Sequence, residues 1–364
     1  MDEKVTAAVL TAVQKMKIQE FKKPKLDPID FLMKVKYCGI CASDIHIWEG
    51  HWNPRFPIIL GHEFIGEVAD VGSEALKWRG FEVGDQIAVE MIVPCHTCEY
   101  CRRGYYNLCI CSDLYGEKLA SVEIPISSSH TALWGGYAQY LYVPEKAIVH
   151  KFEKKVSWEE AALTEPLAVA IRAIRRGKIK ADESVAIVGP GPIGLLAVVA
   201  AKSVKANPII LIGTRDYRLK VGALLGADYV INNSCLHDNI SDVKKLTSGY
   251  GADVVLETAG TVRAQQQAIK MARKAGRVIY VGLTGGKRLT LNSDVDLLFR
   301  EINLNTSYLS AHAYQGAIRI IEDGEFNLGE IITHIYPLRD IEIAFQTVIR
   351  RRDAVIKALL NPWP

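Results

Sequence analysis

Apolar and polar positions follow two textures along the chain, and the change falls near Ser157. Before it, apolar residues come in short runs broken by glycine and proline: Val5 to Val13, Phe31 to Tyr37, Gly66 to Val71, Gln86 to Val89 and Tyr137 to Val143. Such spacing predicts a compact β-rich domain. Beyond Ser157, apolar strand runs alternate with helical patterns. Ser184 to Val188 precedes Ile193 to Val204, and Ile209 to Ile212 precedes Asp216 to Leu225. Asp253 to Leu256 and Arg277 to Val281 follow, each beside a helical stretch. Strict alternation of this kind predicts a parallel sheet built by right-handed crossovers. Near Asn292 the pattern runs on through a helix and a strand, Ile302 to Leu309, and the tail after about Asn327 reads strand, helix, strand. The expected organisation is therefore α/β: a β-rich domain over 1–157, a parallel-sheet domain over 158–298, and a segment 299–364. The strand at 302–309 is open to either of the last two.

At 364 residues the chain has length for two domains with substantial cores. The net charge of +3 is too small for a general nucleic-acid binder. No apolar run approaches the roughly 20 residues needed to span a bilayer. Val5 to Val13 lacks a basic leader and a good cleavage site, so it reads as a first strand and not as a signal peptide. The expectation is a cytoplasmic protein with neither membrane nor nucleic acid as partner.

Of eight cysteines, four crowd together as Cys95, Cys98, Cys101 and Cys109, with two, two and seven residues between them. In an intracellular chain this spacing points to metal before disulfide. Four thiolates closing a tetrahedron suit structural zinc, and a lobe at about 94–112 would have little core without it. A disulfide pair is the alternative. Cys38, Cys111 and Cys235 read as buried or incidental thiols.

Gly189-Pro-Gly191-Pro192-Ile193-Gly194 follows the apolar run Val185 to Val188 and opens an Ala/Val/Leu helix. In this context the glycines read as a Rossmann turn: a tight bend, close backbone approach to a pyrophosphate, and close helix–strand packing. The helix N-terminus adds free N–H groups for the phosphates. An acidic residue about 20 positions on would bind the ribose diol of NAD. Here Gly213-Thr214-Arg215-Asp216 stands there, with Gly213 19 residues after Gly194. Glycine leaves room for a 2′-phosphate and Arg215 can pair with it, so NADP is favoured, or dual use of NAD and NADP. The alternative has Asp216 curling back to the ribose.

A second constellation is dispersed. Cys41-Ala-Ser43-Asp44-Ile-His46-Ile-Trp48 precedes Gly61-His62-Glu63, and Thr164-Glu165-Pro166-Leu167 lies a hundred residues further on. With Trp134-Gly-Gly-Tyr137-Ala-Gln-Tyr140, the four-cysteine lobe and the Gly189 turn in the same order, the set resembles the medium-chain dehydrogenase/reductase superfamily, and within it the threonine and sorbitol dehydrogenase branch. That resemblance covers almost the whole chain. It implies a GroES-like catalytic domain beside a Rossmann cofactor domain, with the tail returning to the catalytic domain. It also implies two zincs per chain, the catalytic one held by Cys41, His62 and Glu63, with Glu165 binding directly or through a water. Whether Glu63 or Glu165 is the third protein ligand stays open. Asp44 resembles the carboxylate that holds the zinc-bound imidazole by its other nitrogen; it can equally serve the helix N-terminus.

The resemblance further implies hydride transfer between a secondary alcohol and a nicotinamide cofactor. The proton would leave through Ser43, the cofactor ribose and then His46, whose imidazole suits transfer to solvent near neutral pH. Sorbitol dehydrogenases carry an arginine where Leu309 stands, Thr306 replaces a usual glycine, and Ile47 replaces a tyrosine. The alcohol therefore stays open among polyols, sugars, diols and amino alcohols. The family implies a homodimer or homotetramer. A non-catalytic protein on this fold would need a broken site, and a zinc-free quinone-type reductase would lack both metal motifs.

Overall fold

The computed structural model describes residues 3–51, 56–116, 133–234 and 238–363; Cys235 lies outside them. Two units emerge, one comprising 1–165, 321–323 and 332–364, the other 166–320 and 324–331.

The first unit is organised by antiparallel pairing. β1 (Lys4–Ala12) pairs with β2 (Lys15–Lys22), and at its far end with β4 (Ile58–Ile59). β3 (Phe31–Gly39), buried at both ends and at Val35, runs beside β5 (Glu63–Val71). Next to β5 lies β6 (Gln86–Val89), and β7 (Ile92–Val93) pairs with β8 (Asp113–Leu114) at the base of the cysteine lobe. β9 (Tyr140–Val143) pairs with β3, and β10 (Val149–Lys151) with β6. The inner faces meet in one core that holds Leu32, Met33, Tyr115 and Tyr137. Gly66 is forced by this packing, because a Cβ there would lie 2.1 Å from the Lys34 carbonyl oxygen on β3.

The second unit is a six-stranded, wholly parallel sheet of order β13-β12-β11-β14-β15-β16. Its strands are β11 (Val185–Val188), β12 (Ile209–Gly213), β13 (Tyr229–Asn232), β14 (Ala252–Glu257), β15 (Ala272–Tyr280) and β16 (Asn303–Thr306). β11 and β12 are buried throughout, as continuous apolar runs covered on both faces require. Strand order reverses between β11 and β14, the point at which an open parallel sheet of this type offers its ligand crevice.

Two local expectations change. The helix anticipated after Asn292 is only two short turns, Ser293–Leu297 and Leu298–Arg300. Asn292 caps Asp294 and Val295, and Glu301 at φ +50° stops the coil after Arg300. The strand expected over 302–309 pairs only over Asn303–Thr306, and Leu309 at φ +57° turns the chain away.

From there the tail supplies β17 (Ile332–Pro337), a helix Ile341–Arg350 and β18 (Lys357–Asn361). β18 runs between β17 and β3, so the C-terminal residues complete the sheet of the first unit. Among the described residues no helix is long and apolar enough to cross a membrane.

Candidate metal centres and cofactor turn

The first centre is assembled by short elements around β3. Cys41, in extended conformation, opens the helix Ala42–Trp48. Its backbone N–H donates to Asp44 Oδ2 at 2.8 Å. That same oxygen accepts from Tyr137 Oη at 2.8 Å, and Oδ1 accepts from the Gly61 N–H at 3.3 Å. Oδ1 also lies 3.4 Å from His62 Nδ1. Asp44 is fully buried and ties together a helix start, the Gly61 turn and the Tyr137 loop. The helix-start reading of this residue is met by the Cys41 N–H, and its approach to His62 Nδ1 places it where the second reading requires.

Burial alone would raise the Asp44 pKa, but the facing His62 and the donated hydrogen bonds outweigh it and hold the carboxyl below its usual range. For His62, burial would lower the pKa, yet Asp44 and the Cys41 sulphur raise it well above the ordinary value. The imidazole is thus drawn towards a positive charge. A divalent cation on its other nitrogen would answer the same field.

Glu63 begins β5 opposite Gly39 on β3. A Cβ at position 39 would stand 2.1 Å from Glu63 Oε2, so glycine makes the space into which this carboxylate folds. Glu63 meets Lys357, which sequence reasoning passed over. The Lys357 ammonium is 2 % exposed and donates to Glu63 Oε1 at 2.8 Å, Glu63 Oε2 at 2.5 Å and the Ile40 carbonyl at 3.2 Å. Its three donors are all used. Burial works against its charge, but Glu63, Cys41 and Glu165 raise its pKa, so it stays cationic. The one available signal was a lone lysine at the head of an apolar strand.

Ligand atoms of Cys41, His62 and Glu63 lie within 4.8 Å of one another. Ser43 Oγ is 3.4 Å from His62 Nε2. Glu165, on the first turn of the helix Thr164–Arg176, is buried and outside that triple. Burial pushes its carboxyl up to about 8, with His62 pulling the other way and Glu63 adding to the rise. Soft thiolate, imidazole and carboxylate at this separation fit zinc.

The second centre is the cysteine lobe. Sulphur–sulphur distances are 3.6 Å for Cys98–Cys101, 3.8 Å for Cys98–Cys109, 3.4 Å for Cys95–Cys109 and 4.0 Å for Cys95–Cys101. A tetrahedral zinc–thiolate site with bonds of about 2.3 Å has edges of about 3.8 Å, whereas a disulfide needs about 2.05 Å. Disulfides are excluded for these pairs, and all four are free. Backbone N–H groups of Thr97 and Cys98 draw Cys95 down to about 5, while burial and its thiol neighbours push Cys101 up to about 12. Four adjacent thiols cannot all ionise without a cation among them. The lobe is moored to the sheet through buried Glu90, which accepts from Tyr106 Oη at 2.9 and 3.0 Å and contacts His150 Nε2 at 2.9 Å. Cys38 is buried and Cys111 exposed, both outside either centre.

In the second unit the turn after β11 separates glycines by purpose. Gly189 has φ +109°, and a Cβ there would meet the Ala259 nitrogen at 2.7 Å. A Cβ on Gly194 would lie 1.8 Å from the Gly189 carbonyl oxygen. Both are demanded by the fold. Around Gly191 nothing lies within 4 Å, so its missing Cβ leaves an open cradle at the N-cap of the helix Pro192–Ser203. Pro192 and Ile193 form the first turn, where free N–H groups favour an anion. That cradle fits a pyrophosphate. Gly213 ends β12, and a Cβ on it would lie 2.3 Å from Pro190 Cγ. Glycine at 213 therefore has a packing cause independent of any cofactor. Thr214 is exposed, Arg215 is half-buried, and Asp216 accepts from Asn232 Nδ2 at 2.5 Å.

Residues 27–154 match the alcohol dehydrogenase GroES-like domain, and 192–323 match the zinc-binding dehydrogenase domain. The chain is 32 % identical to sorbitol dehydrogenase of Bacillus subtilis, over 99 % of this chain and 98 % of that one. It is 34 % identical to L-threonine 3-dehydrogenase of Pyrococcus horikoshii over 92 % of each. A Sinorhizobium meliloti protein described as a zinc-binding dehydrogenase, solved with NADP bound, superposes with TM-score 0.88 at 27 % identity, covering 99 % of this chain and 100 % of that one. The chain belongs to the zinc-dependent medium-chain dehydrogenase/reductase superfamily, in its sorbitol and threonine dehydrogenase-like branch, and is an NAD(P)-dependent oxidoreductase of secondary alcohols.

Proposed function

We propose that this chain interconverts a secondary alcohol bearing a neighbouring hydroxyl or amino group with its ketone, using NADP in preference to NAD. The observation that carries the reading is the convergence of Cys41, His62 and Glu63, with Ser43 beside His62 Nε2. Cys41, His62 and Glu63 are assigned as the ligands of a catalytic zinc, and Glu165 as the carboxylate next to it. Zinc bound there would acidify the substrate hydroxyl, and the nicotinamide would take the hydride. The proton that leaves would pass from Ser43 through the cofactor ribose to His46, which hands it to water at the helix end. Glu165 is the carboxyl left to meet a second polar group on the substrate, since both Glu63 oxygens already accept from Lys357. The polyol and amino-alcohol names of the two relatives support that chemistry. Cys95, Cys98, Cys101 and Cys109 hold a second, structural zinc. A homodimer or homotetramer in the cytoplasm is the assembly and compartment we assign on family grounds.

Metal analysis after purification without chelator should give about two zinc equivalents per chain, one for each ligand set. Cys41→Ala should retain one equivalent and a folded chain but lose turnover, whereas Cys98→Ala should chiefly lower stability. A fully active protein with a single equivalent would contradict the assignment.

Gly191→Ala separates ligand from fold. With open space around position 191, melting temperature should hold within about 1–2 °C while cofactor affinity falls at least tenfold, because the new methyl group would occupy the phosphate cradle. Equal binding by variant and wild type would remove Gly191 from the site.

Cofactor preference rests on Arg215, since Asp216 is engaged by Asn232 and Gly213 answers to Pro190. We expect NADP to exceed NAD by about 10- to 100-fold in kcat/KM, the range of one charge-assisted hydrogen bond. Arg215→Ala should erase most of that ratio. A wild type that favours NAD, with a ratio that Arg215→Ala leaves unmoved, would reverse the assignment. Gly213→Asp is a poor probe, because its Cβ would collide with Pro190.

A further inference from the structure

Beyond the two centres, His46, Glu49 and His51 bring three ligand atoms within 4.8 Å of one another. They stand at the C-terminal end of the helix Ala42–Trp48, the end opposite Cys41. His46 Nδ1 lies 3.2 Å from His51 Nδ1. Glu49 Oε2 is 3.5 Å from His51 Nδ1 and 3.9 Å from His46 Nδ1. Zinc held tetrahedrally by imidazoles at about 2.0–2.1 Å has ligand edges of about 3.3–3.4 Å. The two nitrogens already meet that spacing, and a shift of about half an ångström brings the carboxylate to it. The rings are tilted by 43° with centroids 5.4 Å apart, so they approach through their nitrogens and not by stacking.

The backbone fixes this arrangement. Glu49 N–H donates to the Ile45 carbonyl at 2.8 Å, Gly50 N–H to Ile47 at 3.0 Å, and His51 N–H to His46 at 2.9 Å. Gly50 turns the chain at φ +86°, where a Cβ would also press on Val13 at 2.9 Å, so a glycine is required to fold His51 back onto His46. The three side chains are 30, 32 and 57 % exposed, open to ions from solvent. Each imidazole offers a lone pair at Nδ1 in one of its neutral tautomers. A metal ion between them can accept both lone pairs at once.

We propose that His46, Glu49 and His51 form a third, exchangeable site for late first-row divalent ions, Zn²⁺ above all, whose filling inhibits the enzyme. The inhibitory half rests on His46 as the proton outlet. An imidazole that gives its lone pair to a metal keeps only an N–H at the other nitrogen and has no site to accept a proton. The metal site itself rests on geometry alone.

The test loads the two-zinc holoenzyme with Zn²⁺ by equilibrium dialysis, counts bound metal, and records turnover in the same samples. Cu²⁺ loaded in parallel reports its ligands by electron paramagnetic resonance. Wild type should take up a third equivalent, with two nitrogen couplings on the Cu²⁺ signal, and lose activity as that equivalent fills. His51→Ala and Glu49→Gln should each weaken the third binding step by about tenfold or more, as removal of a ligand must cost at least what loss of an outer partner does. Each variant's inhibition, scaled to its own uninhibited rate, should move to higher Zn²⁺ by the same factor. Uptake that stops at two equivalents, or a third bound equally by His51→Ala, would overturn the site. A third equivalent that depends on His51 but leaves turnover intact would uphold the site, overturn the inhibition, and locate the fault in the assignment of His46.

Discussion

The catalytic unit depends on one buried carboxylate. Asp44 receives hydrogen bonds from Cys41, Gly61 and Tyr137 and faces His62, and these groups come from separate stretches of chain. A buried charge persists only when it is compensated, and breaking such an arrangement from one side costs about 3–5 kcal/mol. Because Asp44 turns Cys41 and His62 towards each other, the local folding requirement and the ligand geometry are the same requirement. Lys357 plays the corresponding part for Glu63, bringing β18 to the proposed metal ligands. Asp44 and the Cys41 sulphur draw His62 towards protonation, and burial raises the Glu165 carboxyl beside them.

Much of this was legible in the sequence. Four cysteines at short spacing specify their own tetrahedron, because a local loop fixes all four donors. The Gly189 turn follows a strand and precedes a helix, so its reading needs only local context. Cys41 and His62 are a different case. Nothing in their spacing says that they meet, and only the resemblance of the whole motif set brought them together. Lys357 was out of reach for a related reason: its partner is 294 positions away, and an apolar strand gives no hint of which carboxylate its lysine will find. His51 was missed because its meaning comes from the left-handed turn at Gly50. Boundaries slipped where side chains cap the backbone, as Asn292 does, a competition that hydrophobic periodicity does not register.

Glycine illustrates how one residue type answers to different constraints within a single motif. Gly189 and Gly194 are excluded from carrying a side chain by neighbouring protein atoms, and Gly191 by nothing within the fold. Gly213 looked like a concession to a larger cofactor, yet Pro190 requires it whichever cofactor binds. In the proposed preference for NADP, the weight therefore falls on Arg215, with Asp216 engaged by Asn232.

In the proposed function, Asp44 organises an open, mixed-ligand zinc site separate from the four-sulphur lobe. Zinc X-ray absorption on the purified protein tests it most directly, read alongside Asp44→Asn. One four-sulphur site and one site holding a single thiolate should give about 2.5 sulphurs per zinc, with imidazole scattering at longer distance. In Asp44→Asn the spectrum should move towards four sulphurs and lose the imidazole signal, as the open site empties. A wild-type spectrum of four sulphurs alone, or a variant whose spectrum and zinc content match the wild type, would contradict it.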